Sequence, residues 1–197
     1  MKITNQSVEL LTKITEEDML KTLELAGRVC YKSEDKITTT SAKKFVQSIM
    51  KNNHQSVLEH INLSFRLITD RGASHELVRH RICSLSMEST RYVKYNEVEF
   101  IRPIGMDKSE LEVWEYYMNY AESNYRAMIN FGLTPEQART VLPHSTKTEL
   151  IMTANIREWL HIIKLRTSNA AHPQIKHLIG MVAEVLAINY PSIFDNV

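Results

Sequence analysis

The residues best suited to chemistry are concentrated in one short segment, residues 79–92. Three arginines and one histidine accompany a single acidic residue, with four hydroxyl side chains among them: Arg79, His80, Arg81, Ser84, Ser86, Glu88, Ser89, Thr90 and Arg91. Guanidinium groups and hydroxyls donate the hydrogen bonds that hold phosphate groups. The five glycines of the chain lie far apart, which excludes a glycine-rich dinucleotide motif and a P-loop. The segment therefore predicts an anion-binding site built from side chains.

A solvated charged turn is the alternative explanation of this segment. Hydrophobic residues interleave the charges at Ile82, Leu85 and Met87. Such interleaving is typical of a partly buried segment, where arginines without an anionic partner would be unfavourable. We therefore favour the anion-binding interpretation.

A metal site is a second alternative, because His75 and Glu76 are followed by His80, as on a zinc-protease helix. That motif needs histidines four residues apart, on one face of a helix. Here they are five apart, which separates them by about 140° around the helix. We therefore expect no metal. Cys30 and Cys83 are expected to be free thiols, and we favour a packed Cys83 over one activated by its basic neighbours.

A second cluster combines an imidazole, a hydroxyl and a carboxylate just before a predicted strand. It spans residues 54–60 and contains His54, Ser56, Glu59 and His60. A capped turn with a structural Glu–His pair would explain it equally well on its own. Its position about twenty residues before the arginine segment favours a functional role.

Length and composition predict the kind of protein that contains these clusters. The chain has 197 residues, 43% of them hydrophobic, which predicts one compact domain over residues 1–197. A formal net charge of +1 argues against a nucleic-acid partner. The apolar runs are too short to span a membrane, and no signal segment is recognisable, so we expect a cytoplasmic protein.

The hydrophobic pattern predicts an α/β (α+β) fold, with helices packed around one modest sheet. Predicted helices cover residues 16–28, with Thr15 as the N-cap, and 41–51, 70–81, 109–131, 155–167 and 173–189, with a short helix after 134–135. Predicted strands cover residues 8–11, 61–68, 92–101 and 146–153.

Together these segments resemble the flavin-dependent thymidylate synthases, the ThyX family. The family signature is Arg-His-Arg, seven residues and then Ser, and Arg79-His80-Arg81 and Ser89 match it without a gap. Further similar segments are residues 54–60, Ala138-Arg139-x-x-Leu142-Pro143, residues 153–159 and Leu165-Arg166. The resemblance extends over nearly the whole chain.

The resemblance implies a reaction and its components. ThyX enzymes convert dUMP to dTMP, taking the methyl carbon from methylene-tetrahydrofolate, while NADPH reduces a bound FAD that supplies the hydride. It implies a mainly antiparallel, ThyX-like sheet and a homotetramer with sites between subunits. The expected partners are therefore small molecules, dUMP and folate, with neither nucleic acid nor membrane.

The resemblance also implies roles for individual residues. Flavin contacts are expected from Ser56, Arg79, His80, Arg81, Lys164 and Arg166. Nucleotide contacts are expected from Glu76, Arg79, Met87, Glu88, Ser89, Thr90, Arg91, Lys147 and Lys176. Catalytic roles are expected for Lys176, Ser89 and His54.

Three positions depart from the family pattern. Met87 stands where relatives often have Glu or Gln, and Lys176 replaces the arginine thought to activate the pyrimidine. Glu149 replaces another arginine, but residues two apart share a face of a strand, so Lys147 can take over its phosphate contact. The alternatives are a surface Lys147–Glu149 pair and an ordinary helix-surface Lys176.

Two other functions remain open at this point. One is a non-catalytic nucleotide- or RNA-binding module that uses the arginine segment. The other is a flavoprotein of this fold that has lost the dUMP reaction, as the changes at Glu149 and Lys176 would allow.

Overall fold

The computed structural model describes residues 1–195, so the last two residues of the expected domain lie outside the described range. Within that range six strands form two sheets: β1 (Lys2–Thr4), β2 (Ser7–Leu10), β3 (Asn62–Asp70), β4 (Cys83–Met87), β5 (Glu99–Ile101) and β6 (Lys147–Asn155). The larger sheet has the order β2-β3-β6-β4, and all its neighbours are antiparallel. The smaller sheet pairs β1 with β5 in parallel. The prediction of a modest, mainly antiparallel sheet is confirmed by the larger sheet, and the β1–β5 pair is a second sheet that was not predicted.

The helices are divided between two hydrophobic cores. They are α1 (Glu16–Val29), α2 (Ser41–Lys51), α3 (Arg71–Leu77), α4 (Lys108–Asn130), α5 (Pro135–Ala138), α6 (Ile156–Arg166), α7 (Pro173–Asn189) and α8 (Pro191–Phe194). Helices α1, α2, α3, α6, α7 and α8 pack in the main core against the larger sheet, whereas α4 and α5 pack in a smaller core with β5. Short 3₁₀ turns cover Glu34–Lys36, Gln55–His60 and Arg139–Val141. None of the helices in the described part of the chain has the length and apolar character that a membrane crossing requires.

Buried and more exposed side chains alternate along the two central strands, β3 and β6. The larger sheet therefore has one face in the core and one open polar face. Leu63, Phe65 and Leu67 of β3 are fully buried, and Leu150 and Met152 of β6 point to the same side in the paired register. The intervening residues of both strands are polar or only partly buried. The sheet therefore packs against helices on one side only.

Trp159 fixes α6 to the central strand β3. Its ring is fully buried and meets the Phe65 ring edge-on at a centroid distance of 5.1 Å. Its indole N–H donates to the Leu63 carbonyl at 3.0 Å. Because Asn155 ends β6 and caps α6 by accepting from the Glu158 N–H, the start of α6 is fixed as well.

The helix predicted over residues 70–81 is shorter than expected. Asp70 caps α3, but the helix ends at Leu77, and residues 78–82 form a turn before strand β4. Strand β4, which the sequence analysis missed, pairs with β6 and buries alternate side chains only partly. His80 therefore lies in a turn, and helical spacing does not govern its distance from His75.

The strand predicted over residues 92–101 is also wrong in extent, since only Glu99–Ile101 is a strand. Upstream, backbone N–H groups are bound by side chains of α4 instead of by a neighbouring strand. The Tyr95 N–H donates to the Tyr125 hydroxyl and the Val98 N–H donates to Glu122. The predicted helices 41–51 and 173–189 are confirmed with the same bounds, as is the Thr15 cap.

Replacing Trp159 with Phe should destabilise the fold by about 1–3 kcal/mol, because it removes the bond to Leu63 and leaves a small cavity. Urea unfolding should show a lower midpoint with an unchanged slope. Tyr116→Phe, on the exposed side of α4, serves as the control and should leave the midpoint unchanged. A Trp159→Phe midpoint equal to that of the parent would contradict this role.

Candidate active site

The guanidinium of Arg166 joins two segments that are distant in sequence. Its Nε donates to His80 Nε2 at 3.0 Å. Its two terminal nitrogens donate to the Glu76 carboxylate at 2.6 Å and to the Glu76 carbonyl at 2.9 Å. These hydrogen bonds hold the end of α3 and the turn after it against the end of α6. That turn contains Arg79 and Arg81.

His80 is neutral and has a defined tautomer. It is 5% exposed, and burial, followed by the charges of Arg166 and His161, lowers its pKa to about 4. Because Nε2 accepts from Arg166, the ring proton is on Nδ1, which lies 3.3 Å from the Glu158 carboxylate. Glu158 is itself 9% exposed, and burial raises the pKa of its carboxyl group.

His80, Glu158 and His161 place three ligand atoms within 4.8 Å of one another, a spacing that a metal ion could use. However, Arg166 already occupies Nε2 of His80, and Lys164 lines the cavity beside Glu158 and His161. These cations would repel a metal ion. We interpret the cluster as a polar network, and the expected absence of a metal stays a prediction.

Two adjoining cavities lie beside this network. One, of about 430 Å³, contains His54 and Ser56 next to the aromatic side chains of Tyr31 and Phe45. The other, of about 550 Å³, is lined by Glu158, His161, Lys164 and Ile82, among others. Gln55 and Arg157 line both. The first cavity has aromatic walls, and the second combines Lys164 with the carboxylates of Glu59 and Glu158, of which Glu59 is paired with Arg157. An extended ligand with aromatic rings and a phosphate near Lys164 would suit the two cavities.

The arginines of the family signature are available to a ligand. Arg79 and Arg81 are exposed, and neither forms an ion pair with any residue among 1–195. Arg91 is also exposed, but its Nε lies 3.1 Å from the Glu136 carboxylate. The structure therefore places Arg79, His80, Arg81, Lys164 and Arg166 in one region, whose donor set fits the diphosphate of a dinucleotide such as FAD.

A third, smaller cavity of about 250 Å³ lies at the other end of α3. It is lined by Arg71, Arg139 and Thr90, with His75 and His144 nearby, and no acidic side chain within residues 1–195 lines it. One terminal nitrogen of Arg71 is buried without a hydrogen-bond partner in the described structure. Arg139 donates to the buried Thr90 hydroxyl at 3.3 Å. With two arginines and no acidic side chain of residues 1–195 in its lining, this cavity is suited to an anion.

The sequence analysis did not identify Arg71 or Arg139 as site residues. Arg139 stood out only as part of the Ala138-Arg139-x-x-Leu142-Pro143 segment. For Arg71 the one available signal was its place at the start of a helix, directly after the Asp70 cap. Neither signal reveals that the two side chains converge on the loop that contains Ser89 and Thr90.

Lys147 lies at the edge of this region and already has anionic partners. Its ammonium is 3.1 Å from the Glu88 carboxylate and 3.8 Å from Glu149. Glu88 also accepts from the Tyr95 hydroxyl, whose pKa is raised by burial and by Glu88. Met87 points to the other side of β4 and packs against the main core. Lys147 and Glu149 therefore do share a strand face, as predicted.

The remaining predicted residues lie around these cavities. Lys176 is in the first turns of α7, where its ammonium donates to the Asn169 amide oxygen at 3.1 Å. The Ser89 hydroxyl accepts from the Arg91 N–H at the start of a turn. Burial, and secondarily Glu158, raises the pKa of the Cys83 thiol, which contradicts the alternative of an activated cysteine.

Comparison with known proteins gives a consistent result. The family model described as thymidylate synthase complementing protein matches residues 9–192. A flavin-dependent thymidylate synthase of Geobacter sulfurreducens is 36% identical over 181 residues, which cover 86% of this chain and 78% of the relative. A flavin-dependent thymidylate synthase of Pyrococcus furiosus is 33% identical, covering 85% of this chain and 74% of the relative.

Solved structures show the same fold at lower identity. A UMP/dUMP methylase, PolB from Streptomyces cacaoi, superimposes with a TM-score of 0.84 at 23% identity, covering 99% of this chain and 96% of PolB. Thymidylate synthase X from Helicobacter pylori gives a TM-score of 0.79 at 23% identity, covering 97% of this chain and 98% of that structure. The extent of the family match and the identity to named relatives show that the chain belongs to the family of flavin-dependent thymidylate synthases.

Proposed function

We propose that this chain is an FAD-dependent thymidylate synthase that methylates dUMP reductively, with methylene-tetrahydrofolate as carbon donor and NADPH as reductant. The observation that carries the proposal is the position of two anion-binding regions at the two ends of one short helix. Arg71 begins α3 with a buried, unpartnered nitrogen, and Arg79 and Arg81 follow its end without ion-pair partners among residues 1–195. Two phosphorylated ligands would thus be held close together.

The flavin side of the proposed site contains the cationic turn and the two adjoining cavities. Arg79, Arg81 and Lys164 supply exposed positive charge for a diphosphate, while Ser56 supplies a hydroxyl in the aromatic cavity. Bound FAD supplies the redox chemistry that no protein side chain provides. Arg166 uses three of its N–H donors inside the protein and keeps two for a ligand. His80, being neutral, adds no charge and orients Arg166.

The nucleotide side contains the loop of Ser89, Thr90 and Arg91. We place the dUMP phosphate against Arg71 and Arg139, since Thr90 and Arg139 already share a hydrogen bond there. Lys147 is a second phosphate contact in this proposal, and it must exchange Glu88 for the phosphate to act as one. Met87 contributes through its backbone, because its side chain packs against the core.

Glu76 and Lys176 are the proposed contacts of the pyrimidine. As C5 of uracil becomes nucleophilic, negative charge develops on the O4/N3/O2 system of the ring. Lys176 can stabilise that charge, since its partner among residues 1–195 is the neutral amide of Asn169 and not a carboxylate. Glu76 is oriented by Arg166 and lines a cavity of about 400 Å³.

The proposal also includes two further catalytic contacts, the assembly of the enzyme and its location. His54 and Ser89 are the other candidates for catalytic contacts, at the aromatic cavity and in the nucleotide loop respectively. We also propose that residues 1–197 form one catalytic domain, that four copies assemble with sites between subunits, and that the enzyme works in the cytoplasm. The open polar face of the sheet and the exposed Arg79 and Arg81 support shared sites.

Supplying the purified protein with FAD, dUMP, NADPH and methylene-tetrahydrofolate should yield dTMP, with one NADPH oxidised per dTMP formed. A yellow, flavin-loaded protein that oxidises NADPH without forming dTMP would instead identify a flavoprotein that has lost the dUMP reaction. A colourless protein that takes up no flavin would contradict the proposal and favour the non-catalytic binding module.

Lys176→Ala should lower the rate of dTMP formation by about 10²-fold, because it removes the charge that stabilises the activated ring. Reduction of the bound flavin by NADPH should persist, since that step does not involve the pyrimidine. Lys176→Arg should keep or raise the activity, and Lys108→Ala, an exposed lysine of α4, is the control. Parent-like dTMP formation by Lys176→Ala at saturating dUMP would show that the ring is activated elsewhere.

A further inference from the structure

Glu158 is a buried carboxylate whose role is not explained by the contacts assigned above. It occupies the third position of α6, where its own N–H is bound by the Asn155 cap. Its carboxylate lies 3.3 Å from His80 Nδ1, and no arginine or lysine forms an ion pair with it among residues 1–195. A buried carboxylate without a cationic partner is unfavourable for stability, which suggests that it serves the site.

We propose that Glu158 is a positioning residue that keeps the ring proton of His80 on Nδ1 and thereby fixes Arg166. This inference rests on the proposed function, since it takes Glu76, His80 and Arg166 as parts of the flavin and nucleotide site. A negative carboxylate beside Nδ1 favours a proton on that nitrogen over a lone pair. Nε2 is then free to accept from Arg166.

The opposite tautomer would break this arrangement. With the proton on Nε2, two N–H groups would point at each other across the 3.0 Å that separate Nε2 from the Arg166 Nε. The guanidinium would have to turn, and it would lose its two aligned bonds to Glu76. Because Glu76 comes from α3 and Arg166 from α6, the relative position of these elements at the site depends on the imidazole proton.

The tautomer itself can be observed without any turnover. Long-range ¹H–¹⁵N NMR on protein labelled at histidine should show His80 protonated on Nδ1 in the parent. In Glu158→Gln a substantial fraction should be protonated on Nε2, because the neutral amide can donate to Nδ1 as well as accept from it. Glu122→Gln removes a similarly buried carboxylate, one that bonds the N-terminus and the Val98 N–H and not His80, and it should leave the His80 tautomer unchanged.

Kinetics provide the second readout. Glu158→Gln should raise the KM for dUMP and weaken FAD binding, each about tenfold, because Glu76 is a proposed pyrimidine contact and Arg166 a proposed flavin contact. Arg166→Lys, which cannot bridge His80 and Glu76 in the same way, should raise KM as well. The double variant should be no worse than Arg166→Lys alone, because both changes break the same connection.

Two results would overturn the proposal. One is a His80 tautomer that stays on Nδ1 in Glu158→Gln, or lies on Nε2 in the parent. The other is an additive double variant, which would indicate that Glu158 acts through general stability. If the flavin-loaded parent forms no dTMP, the proposed function fails, whereas the NMR measurement still decides the role of Glu158.

Discussion

The interaction on which the site depends is the three-donor contact of Arg166. It connects the last residue of α6 with Glu76 and His80, which lie nearly ninety positions earlier in the chain. Trp159 holds the same helix against β3, so the backbone that carries the guanidinium has a fixed position. The turn after α3 is thereby ordered without belonging to a helix or a strand. That order fixes the backbone that carries the exposed Arg79 and Arg81.

Some cationic side chains of the chain have carboxylate partners, and others have none in the described structure. Lys147, Arg91 and Arg166 have carboxylate partners, whereas Arg79 and Arg81 have none among residues 1–195. A net charge of +1 is therefore compatible with strongly basic regions, because acidic residues neutralise cations elsewhere in the fold. Arg71 likewise has a terminal nitrogen that is buried without a hydrogen-bond partner in the described part of the chain. In the proposed site, the exposed cations assigned to anions are those without a carboxylate partner among residues 1–195.

Sequence patterns predicted the parts of this structure that local rules control. Thr15 caps α1, and helix α7 begins at Pro173, because caps and helix-starting prolines act over a few residues. The Arg-His-Arg spacing to Ser89 pointed to the family for the same reason. Helix α3 was predicted too long, because apolar spacing continues past Leu77, and nothing near His80 reveals that Arg166 binds it in a turn. Strand β4 was missed because its alternation is short and only half buried. Arg71 and Glu158 could not be recognised, since their roles depend on which partners burial brings close.

The central claim is that the two ends of α3 hold two different anions, with the nucleotide phosphate at Arg71. Calorimetric binding of dUMP and of deoxyuridine to the flavin-loaded protein tests this claim most directly, in the parent and in Arg71→Ala, with Lys147→Ala for comparison. Arg71→Ala should weaken dUMP binding by at least about tenfold and leave deoxyuridine binding and flavin content unchanged. The loss should be smaller for Lys147→Ala, because that lysine must first release Glu88. Unchanged dUMP binding in Arg71→Ala, or an equal loss for both ligands, would contradict a nucleotide phosphate at Arg71.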